Sequence, residues 1–487
     1  MPGMTLTEVG AAFDEGALTA RELTEKCLTV ARQNADTTHA YVTLTEDEAF
    51  TAADAADERI KRRSRLSILD GVPVAVKDNM LVAGIRATAG SHIITNYVAP
   101  YDATIVSRLK AAGAVLVGKT NMDEFAMGSS TETSCHGPTR NPWNTEKIPG
   151  GSSGGAAVAV AEGSAIVSLG SDTGGSIRQP AAMCGVVGLK PTYGRVSRYG
   201  LMAMASSLDQ IGPFARTAED AARVLSVIEG RDPMDSTSVD LEPSWKVPLR
   251  FPSSLKGLRV GLPKEYFVSG MDSDVERAVR DAVAALENLG AEIKEVTLPH
   301  AEYALAVYYV LMPSEVSSNL SRFDGIRFGT RVAGASLEET YRKSRGTGFG
   351  KEVRRRIMLG TYALSSGYYD AYYLKALKVR RLISNDFAQA FTEVDVIATP
   401  TSPSVAWNIG EKFDDPLAMY LSDIYTVSVN VAGLPAVSVP CGFSNGLPVG
   451  LQLIGRHFDE KTILGTAHAY EHAAGLREQL SSPTSIK

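Results

Sequence analysis

The chain is predicted to fold as an α/β protein, a central sheet flanked by helices on both faces, with a helical insertion. Three observations predict it. From residue 66, short β-branched runs closed by glycine or proline alternate with helical stretches, the rhythm of a layered α/β sheet. Residues 5–65 carry helical patterns instead. Between about 300 and 390 strand signals become scarce, while tyrosines and basic residues accumulate. The 487 residues exceed what one core sustains, roughly 250–300 residues. The expected division is a helical layer over 1–65 packed on a main domain over 66–487, the latter carrying the insertion at about 300–390.

In the N-terminal layer, Thr19-Ala20-Arg21-Glu22 and Thr45-Glu46-Asp47-Glu48 each fit a capping box, in which hydroxyl and carboxylate satisfy orphan backbone N–H groups. Strands are expected at Pro73–Val76, Ala114–Val117 and Ala165–Leu169, and later at 258–262 and 292–298, which flank an amphipathic helix over about 273–289. Further strands are expected at 394–398, 436–439 and 449–454. A last helix should cover about 460–474, and Ser481–Lys487 should fray. The insertion holds Tyr303, Tyr308, Tyr309, Tyr341, Tyr362, Tyr368, Tyr369, Tyr372 and Tyr373, with Arg354-Arg355-Arg356. A helical lobe with aromatics on its packing faces accounts for this composition. Closure over an active site would use the same residues.

Composition excludes several classes. A net charge of −6 argues against broad electrostatic binding of a phosphate backbone by this chain. Cys27, Cys135, Cys184 and Cys441 are scattered, with no CxxC spacing, and read as reduced thiols of a cytoplasmic protein. Met1–Thr5 has no basic or apolar leader pattern, so no signal peptide is expected. No apolar run reaches the ~18–20 residues of a membrane span.

Two motif matches fail on context. Gly113–Thr120 satisfies GxxxxGK[ST], but its four inner residues are themselves the strand, leaving no loop to wrap phosphate. Lys119 is expected near a strand end on the active face. Gly150-Gly151-Ser152-Ser153-Gly154 satisfies GxSxG, but no strand precedes it. His457, His468 and His472 lie late enough to complete such a site, yet none has a catalytic context, and the last two are expected to be solvated.

A third pattern is informative. Gly150–Gly155 and Gly170–Arg178 are serine-bearing glycine loops whose serines, Ser152 and Ser176, lie 24 residues apart, with a helical run and a strand between them. Both loops can therefore meet at one end of the sheet. Glycines beside serine let backbone N–H groups approach a ligand, as an oxyanion hole requires. The strand Pro73–Val76 runs directly into Lys77, a candidate base. These features do not rank Ser152 against Ser176, and the GxSxG match favours Ser152.

Residues 70–213 resemble the amidase signature family. The matching pieces are Gly71–Asp78, Gly150–Gly155, Gly170–Arg178 and Cys184–Thr192. The resemblance implies a mixed sheet surrounded by helices and a Ser–cis-Ser–Lys triad. In it Lys77 is the base, Ser152 the proton bridge, joined to Gly151 by a cis peptide, and Ser176 the nucleophile. It also implies an oxyanion hole from the N–H groups of Thr173, Gly174, Gly175 and Ser176. Lys77 would have to be neutral, which requires burial to depress its pKa by ~3 units.

Over nearly the whole chain the resemblance is to the tRNA-dependent amidotransferase branch. It rests on Gly137–Asn144, Ser206–Pro213, Ser317–Gly325, Arg355–Gly360 and Asp415–Tyr425. Cys135-His136 is a local departure, outside the triad. The branch implies glutamine as substrate, held by Tyr308, Arg356 and Asp423, with Tyr309 an alternative to Tyr308. An arginine fork suits the α-carboxylate and an aspartate the α-ammonium. It further implies a heterotrimer with the B and C subunits of the amidotransferase, no cofactor or metal on this chain, and no membrane. ATP and Mg would be used by the partner that amidates Glu-tRNA or Asp-tRNA, and tRNA would be contacted mainly through the B subunit. A free-standing amidase on small amides, and a non-enzymatic assembly protein, are the alternatives.

Overall fold

A computed structural model describes residues 3–243, 249–267, 270–480 and 483. One mixed sheet of eleven strands organises them. In chain order the strands are β1 (Tyr41–Leu44), β2 (Pro73–Lys77), β3 (Val115–Thr120), β4 (Val167–Asp172), β5 (Val187–Lys190) and β6 (Gln210–Ala215). They continue as β7 (Arg259–Pro263), β8 (Glu292–Val296), β9 (Val396–Pro400), β10 (Ala436–Ser444) and β11 (Leu447–Gly455). Across the sheet the order is β1-β3-β2-β4-β6-β5-β10-β11-β9-β7-β8.

The centre of this order positions the site. β2 pairs parallel with both β3 and β4, so all three end on the same side of the molecule. β2 and β4 are buried along their whole length, which is why their sequences run apolar rather than alternating. The helix Gly154–Glu162 returns the chain from the first glycine loop to the start of β4, and Gly163 at φ 84° ends it in the left-handed conformation that glycine adopts without steric cost. The two glycine loops thus lie at the common C-terminal end of the parallel strands.

The N-terminal region differs from expectation. It is not purely helical: β1 adds an edge strand antiparallel to β3. That pairing also dissolves one predicted capping box. Thr45 donates its backbone N–H to Val117 and its hydroxyl to Leu116 of β3, leaving no side-chain cap for the helix Glu46–Lys61. The Thr19 box forms, and a second forms between Thr5 and Glu8. β5 and β6 escaped the sequence reading. Gly212-Pro213 inside β6 hides its strand character, and a Cβ at Gly212 would come 2.0 Å from the Leu189 carbonyl of neighbouring β5. The helix expected to end the chain spans Glu460–Ala474, while the fraying expected over 481–487 lies outside the described residues except for Pro483.

The insertion is helical: Ala304–Asn319, Leu337–Gly348, Lys351–Ala363 and Lys375–Glu393, with a π turn at Tyr369–Leu374. Its Tyr308, Leu311, Met312, Val353 and Phe387 join an apolar cluster with Tyr425 and with Ile397, Ala436 and Ile454 of the sheet. Tyr362, Tyr368, Tyr369 and Tyr372 stay on the surface. Among the described residues no helix is long and apolar enough to cross a membrane.

Candidate active site

Lys77 ends β2 with its side chain fully buried. Its Nζ lies 2.7 Å from Ser152 Oγ, 2.8 Å from Ser153 Oγ and 3.0 Å from Ser171 Oγ. Burial pushes the Lys77 ammonium down to about 7, against the pull of Asp123, Asp172 and Asp209. A lysine so depressed exists substantially as free amine near neutral pH.

The first loop is clamped around Ser152. The Gly151–Ser152 peptide is cis, as the family resemblance implies. Gly151 donates its N–H to Gln179 Oε1 at 2.9 Å. A Cβ at Gly151 would sit 2.2 Å from Asp123 Oδ2 and 2.5 Å from the Ser130 nitrogen, so only glycine fits. The Asp123 carboxylate accepts from the Thr131 amide at 2.8 Å and the Thr133 hydroxyl at 2.8 Å, tying the 129–133 segment under the loop.

The second loop is organised by Asp172. Its carboxylate accepts the amides of Gly175 and Ile177, at 2.8 and 3.1 Å, and a two-point contact from fully buried Arg178. Burial works to raise the Asp172 pKa, but Arg178, Lys190 and Asn430 outweigh it and hold the carboxyl at about 2. One predicted oxyanion donor is therefore corrected: the Gly175 N–H is already committed to Asp172. The amides of Thr173, Gly174 and Ser176 have no such partner among the described residues. Ser176 accepts the Ser153 amide on its carbonyl at 3.3 Å, which brings the two serine loops side by side. Ser176 keeps 8% of its surface exposed, whereas Ser152 and Lys77 keep none. No hydrogen bond joins the Ser152 and Ser176 hydroxyls among the described residues.

Of the three predicted glutamine contacts, Tyr308 lies on this loop. A Cβ at Gly174 would meet Tyr308 Cζ at 2.8 Å, so the Tyr308 ring lies directly against the second serine loop. Tyr309 faces elsewhere, stacking on Tyr420 with ring centroids 3.8 Å apart. The Arg356 guanidinium sits 5.4 Å over both of those rings. It is not free: Arg356 Nε donates to Glu352 Oε1 at 2.8 Å, and the same oxygen accepts Tyr420 Oη at 2.7 Å. One of its terminal nitrogens lies 3.8 Å from Met312 Sδ. Asp423 accepts the Ser129 hydroxyl at 2.6 Å, and burial pushes its carboxyl up to about 7. A cavity of about 300 Å³ opens beside this group, lined by Met127, Gly128, Ser130, Glu352, Arg356 and Tyr420 among others.

Of the two rejected motifs, Gly150–Gly154 is the first serine loop of the site itself, with Ser152 and Ser153 on Lys77. Gly113–Thr120 includes β3, with no phosphate-wrapping loop, and Lys119 pairs with Asp78 at 3.0 Å next to Lys77. His468 is half-buried rather than fully solvated, its ring stacked on Phe251 with centroids 4.4 Å apart, while His472 is exposed as expected. Among the described residues no cluster of His, Cys, Asp and Glu could hold a metal, and the four cysteines are free.

Sequence reasoning missed Ser153, Ser171, Asp123, Gln179 and Glu352. Some had a signal: Ser153 and Ser171 lie in the named loops, and Glu352 stands one helical turn before Arg356, the spacing of an ion pair. Asp123 and Gln179 act across the fold, and only the folded chain brings them to Gly151.

The family model described as Amidase matches residues 22–464. The glutamyl-tRNA(Gln) amidotransferase A subunit of Carboxydothermus hydrogenoformans is 59% identical over 470 residues, covering 93% of this chain and 96% of that protein. The protein of the same name from Moorella thermoacetica is 60% identical over 435 residues, 89% of each chain. The crystal structure of the glutamyl-tRNA(Gln) amidotransferase A subunit from Thermotoga maritima superposes with a TM-score of 0.79 at 43% identity, covering 96% of this chain and 94% of that one. A family match over most of the length, together with relatives near 60% identity, means that this chain belongs to the amidase signature family.

Proposed function

We propose that the chain is the glutamine-hydrolysing subunit of a tRNA-dependent amidotransferase. The observation that carries the chemistry is the buried Lys77 Nζ–Ser152 Oγ contact at 2.7 Å, beside a second serine, Ser176, that alone of the three retains exposed surface. A nucleophile must meet substrate, so exposure favours Ser176 as attacker and Ser152 as bridge. The relatives' names supply the amidotransferase context.

In this reading Ser176 Oγ attacks the side-chain amide carbon of glutamine. Its proton passes to Ser152, and the Ser152 proton to neutral Lys77. The oxyanion is held by amides of Thr173, Gly174 and Ser176. As the tetrahedral intermediate collapses, the proton returns from Lys77 through Ser152 to the leaving nitrogen, and ammonia departs. Water then hydrolyses the glutamyl–Ser176 ester by the same relay. The terminal nitrogens of Arg356 receive the α-carboxylate, Asp423 the α-ammonium, and Tyr308 lines the path to Gly174. An incoming ammonium favours the ionised form of Asp423. This chain uses no cofactor or metal in that step. The B and C subunits complete a heterotrimer, in which the B subunit contacts tRNA and uses ATP and Mg to spend the ammonia on Glu-tRNA or Asp-tRNA in the cytoplasm.

Two variants test this in the assembled complex. Ser176→Ala should lose glutamine hydrolysis while folding normally. Lys77→Arg should also be inactive, because a guanidinium does not give up its proton at accessible pH. Normal glutaminase activity in either variant would overturn the corresponding role.

A further inference from the structure

Lys77 has three hydroxyl neighbours: Ser152 at 2.7 Å, Ser153 at 2.8 Å and Ser171 at 3.0 Å. A neutral amine has two N–H groups and one lone pair. It works as a base toward Ser152 only when the lone pair faces that hydroxyl. Ser153 is bound to accept from Lys77, because its own proton goes to the Ser171 carbonyl at 3.1 Å. Ser171 owes its state to Asn79, which lies two residues past Lys77 and donates Nδ2 to Ser171 Oγ at 3.0 Å. If the Asn79 amide were turned over, its Oδ1 would take the Ser171 proton. Turned that way, the amide leaves Ser171 Oγ only lone pairs to offer Lys77, which Nδ2 donation alone does not ensure. Asn79 is 2% exposed, and its Oδ1 has no hydrogen-bond partner among the described residues. Placing a half-satisfied amide in the interior costs stability, which is tolerated where it serves the site.

We propose that Asn79 and Ser171 are positioning residues: Asn79 holds Ser171 as an acceptor, and Ser171 draws a Lys77 N–H so that the amine's lone pair faces Ser152. This rests on the reading of Lys77 as base. The relay balances. Ser176 gives its proton to Ser152 as Ser152 gives its own to the Lys77 lone pair. The resulting ammonium has three N–H groups and three oxygens to receive them. The charged groups acting on Lys77 are Asp123, Asp172 and Asp209, and none is altered in the test below.

The test is the pH profile of glutamine kcat/KM in the assembled complex, whose rising limb reports loss of the Lys77 proton. Ser171→Ala should lower the plateau about tenfold or more and move that limb to lower pH, because the ammonium loses an acceptor. Asn79→Asp should move it about one unit higher, because a nearby carboxylate favours the charged amine. Ser171→Thr, which keeps the hydroxyl, should restore the original limb. A packing role would alter plateau or stability without moving the limb, so unmoved limbs in Ser171→Ala and Asn79→Asp overturn the proposal. If one of these folds poorly, the other gives the same readout. An active Lys77→Arg enzyme sinks the base assignment itself; an inactive one with unmoved limbs sinks only the positioning role.

Discussion

Lys77 illustrates how one side chain acquires a function from its surroundings. At the surface its amine would stay protonated and inert as a base. Here burial depresses it to about 7, and three hydroxyls replace the water it lost. Arg356 illustrates the complementary case, a charge kept by partners. Glu352 holds its Nε and the Tyr309–Tyr420 stack supports its plane, so the terminal nitrogens are fixed before a ligand arrives. Pre-ordering of this kind reduces the entropy lost on binding. Arg356→Ala should therefore raise the KM for glutamine by roughly ten- to a hundredfold, the size of a lost charge-assisted bond, with a smaller change in kcat. Steady-state kinetics over a wide glutamine range would check this; an unchanged KM would remove Arg356 from the carboxylate site. At this scale Lys77 was readable from the end of an apolar run and Ser171 from its glycine loop, whereas Asn79 carried no pattern that marked it as a neighbour of either.

At the scale of elements, close approaches set the distances between functional groups. The helices Ala304–Asn319 and Lys351–Ala363 carry Tyr308 and Arg356 respectively. They touch at Gly360, where a Cβ would fall 1.8 Å from the Pro313 carbonyl oxygen. Gly360→Ala must push the helices apart, and Arg356, one turn earlier, moves with its helix. The expected outcome is a KM for glutamine raised about tenfold or more with kcat less affected, alongside a folded circular-dichroism spectrum. Equal KM values would mean that the strain is absorbed elsewhere. The periodicity of these helices was legible, since the insertion lacks strand patterns. Their crossing point was not, because nothing in the sequence distinguishes Gly360 from a glycine in a loop. β1 and Thr45 make the same point. The local capping signal at Thr45 was sound, but pairing with β3 offered its backbone and hydroxyl other partners.

For the whole molecule, the N-terminal layer is joined to the catalytic core through Glu162, the last residue of the helix behind the first loop. Its carboxylate accepts from Thr38 at 2.8 Å, Asn34 at 3.2 Å and Ser164 at 2.6 Å. Burial nevertheless pushes it up to about 7 from an ordinary 4.5. A carboxyl raised in the fold supports stability fully below its unfolded value and loses that support as pH climbs through the folded value. The unmutated protein should thus weaken between about pH 4.5 and 7 from this group. Glu162→Gln has no proton to lose there. It should melt roughly 1–3 °C higher at about pH 8 and no higher near pH 4.5, checked by thermal denaturation at both values. A gain that does not depend on pH would place the effect elsewhere.

The sequence by itself determined the α/β class, the helical insertion, both serine loops and the lysine at a strand's end, because each is written in local periodicity or in contiguous residues. Its resemblance to a family ranked the two serines, which spacing alone could not. Only the tertiary structure decided that the Gly175 amide is taken up by Asp172, which of two adjacent tyrosines borders the second serine loop, and which hydroxyls face Lys77. Apart from the Gly175 amide, bound by Asp172 three residues away, those are contacts between residues from tens to hundreds of positions apart, such as Tyr308 against Gly174. They are set by parallel strands ending together and by helices meeting at glycine, and no local pattern records them.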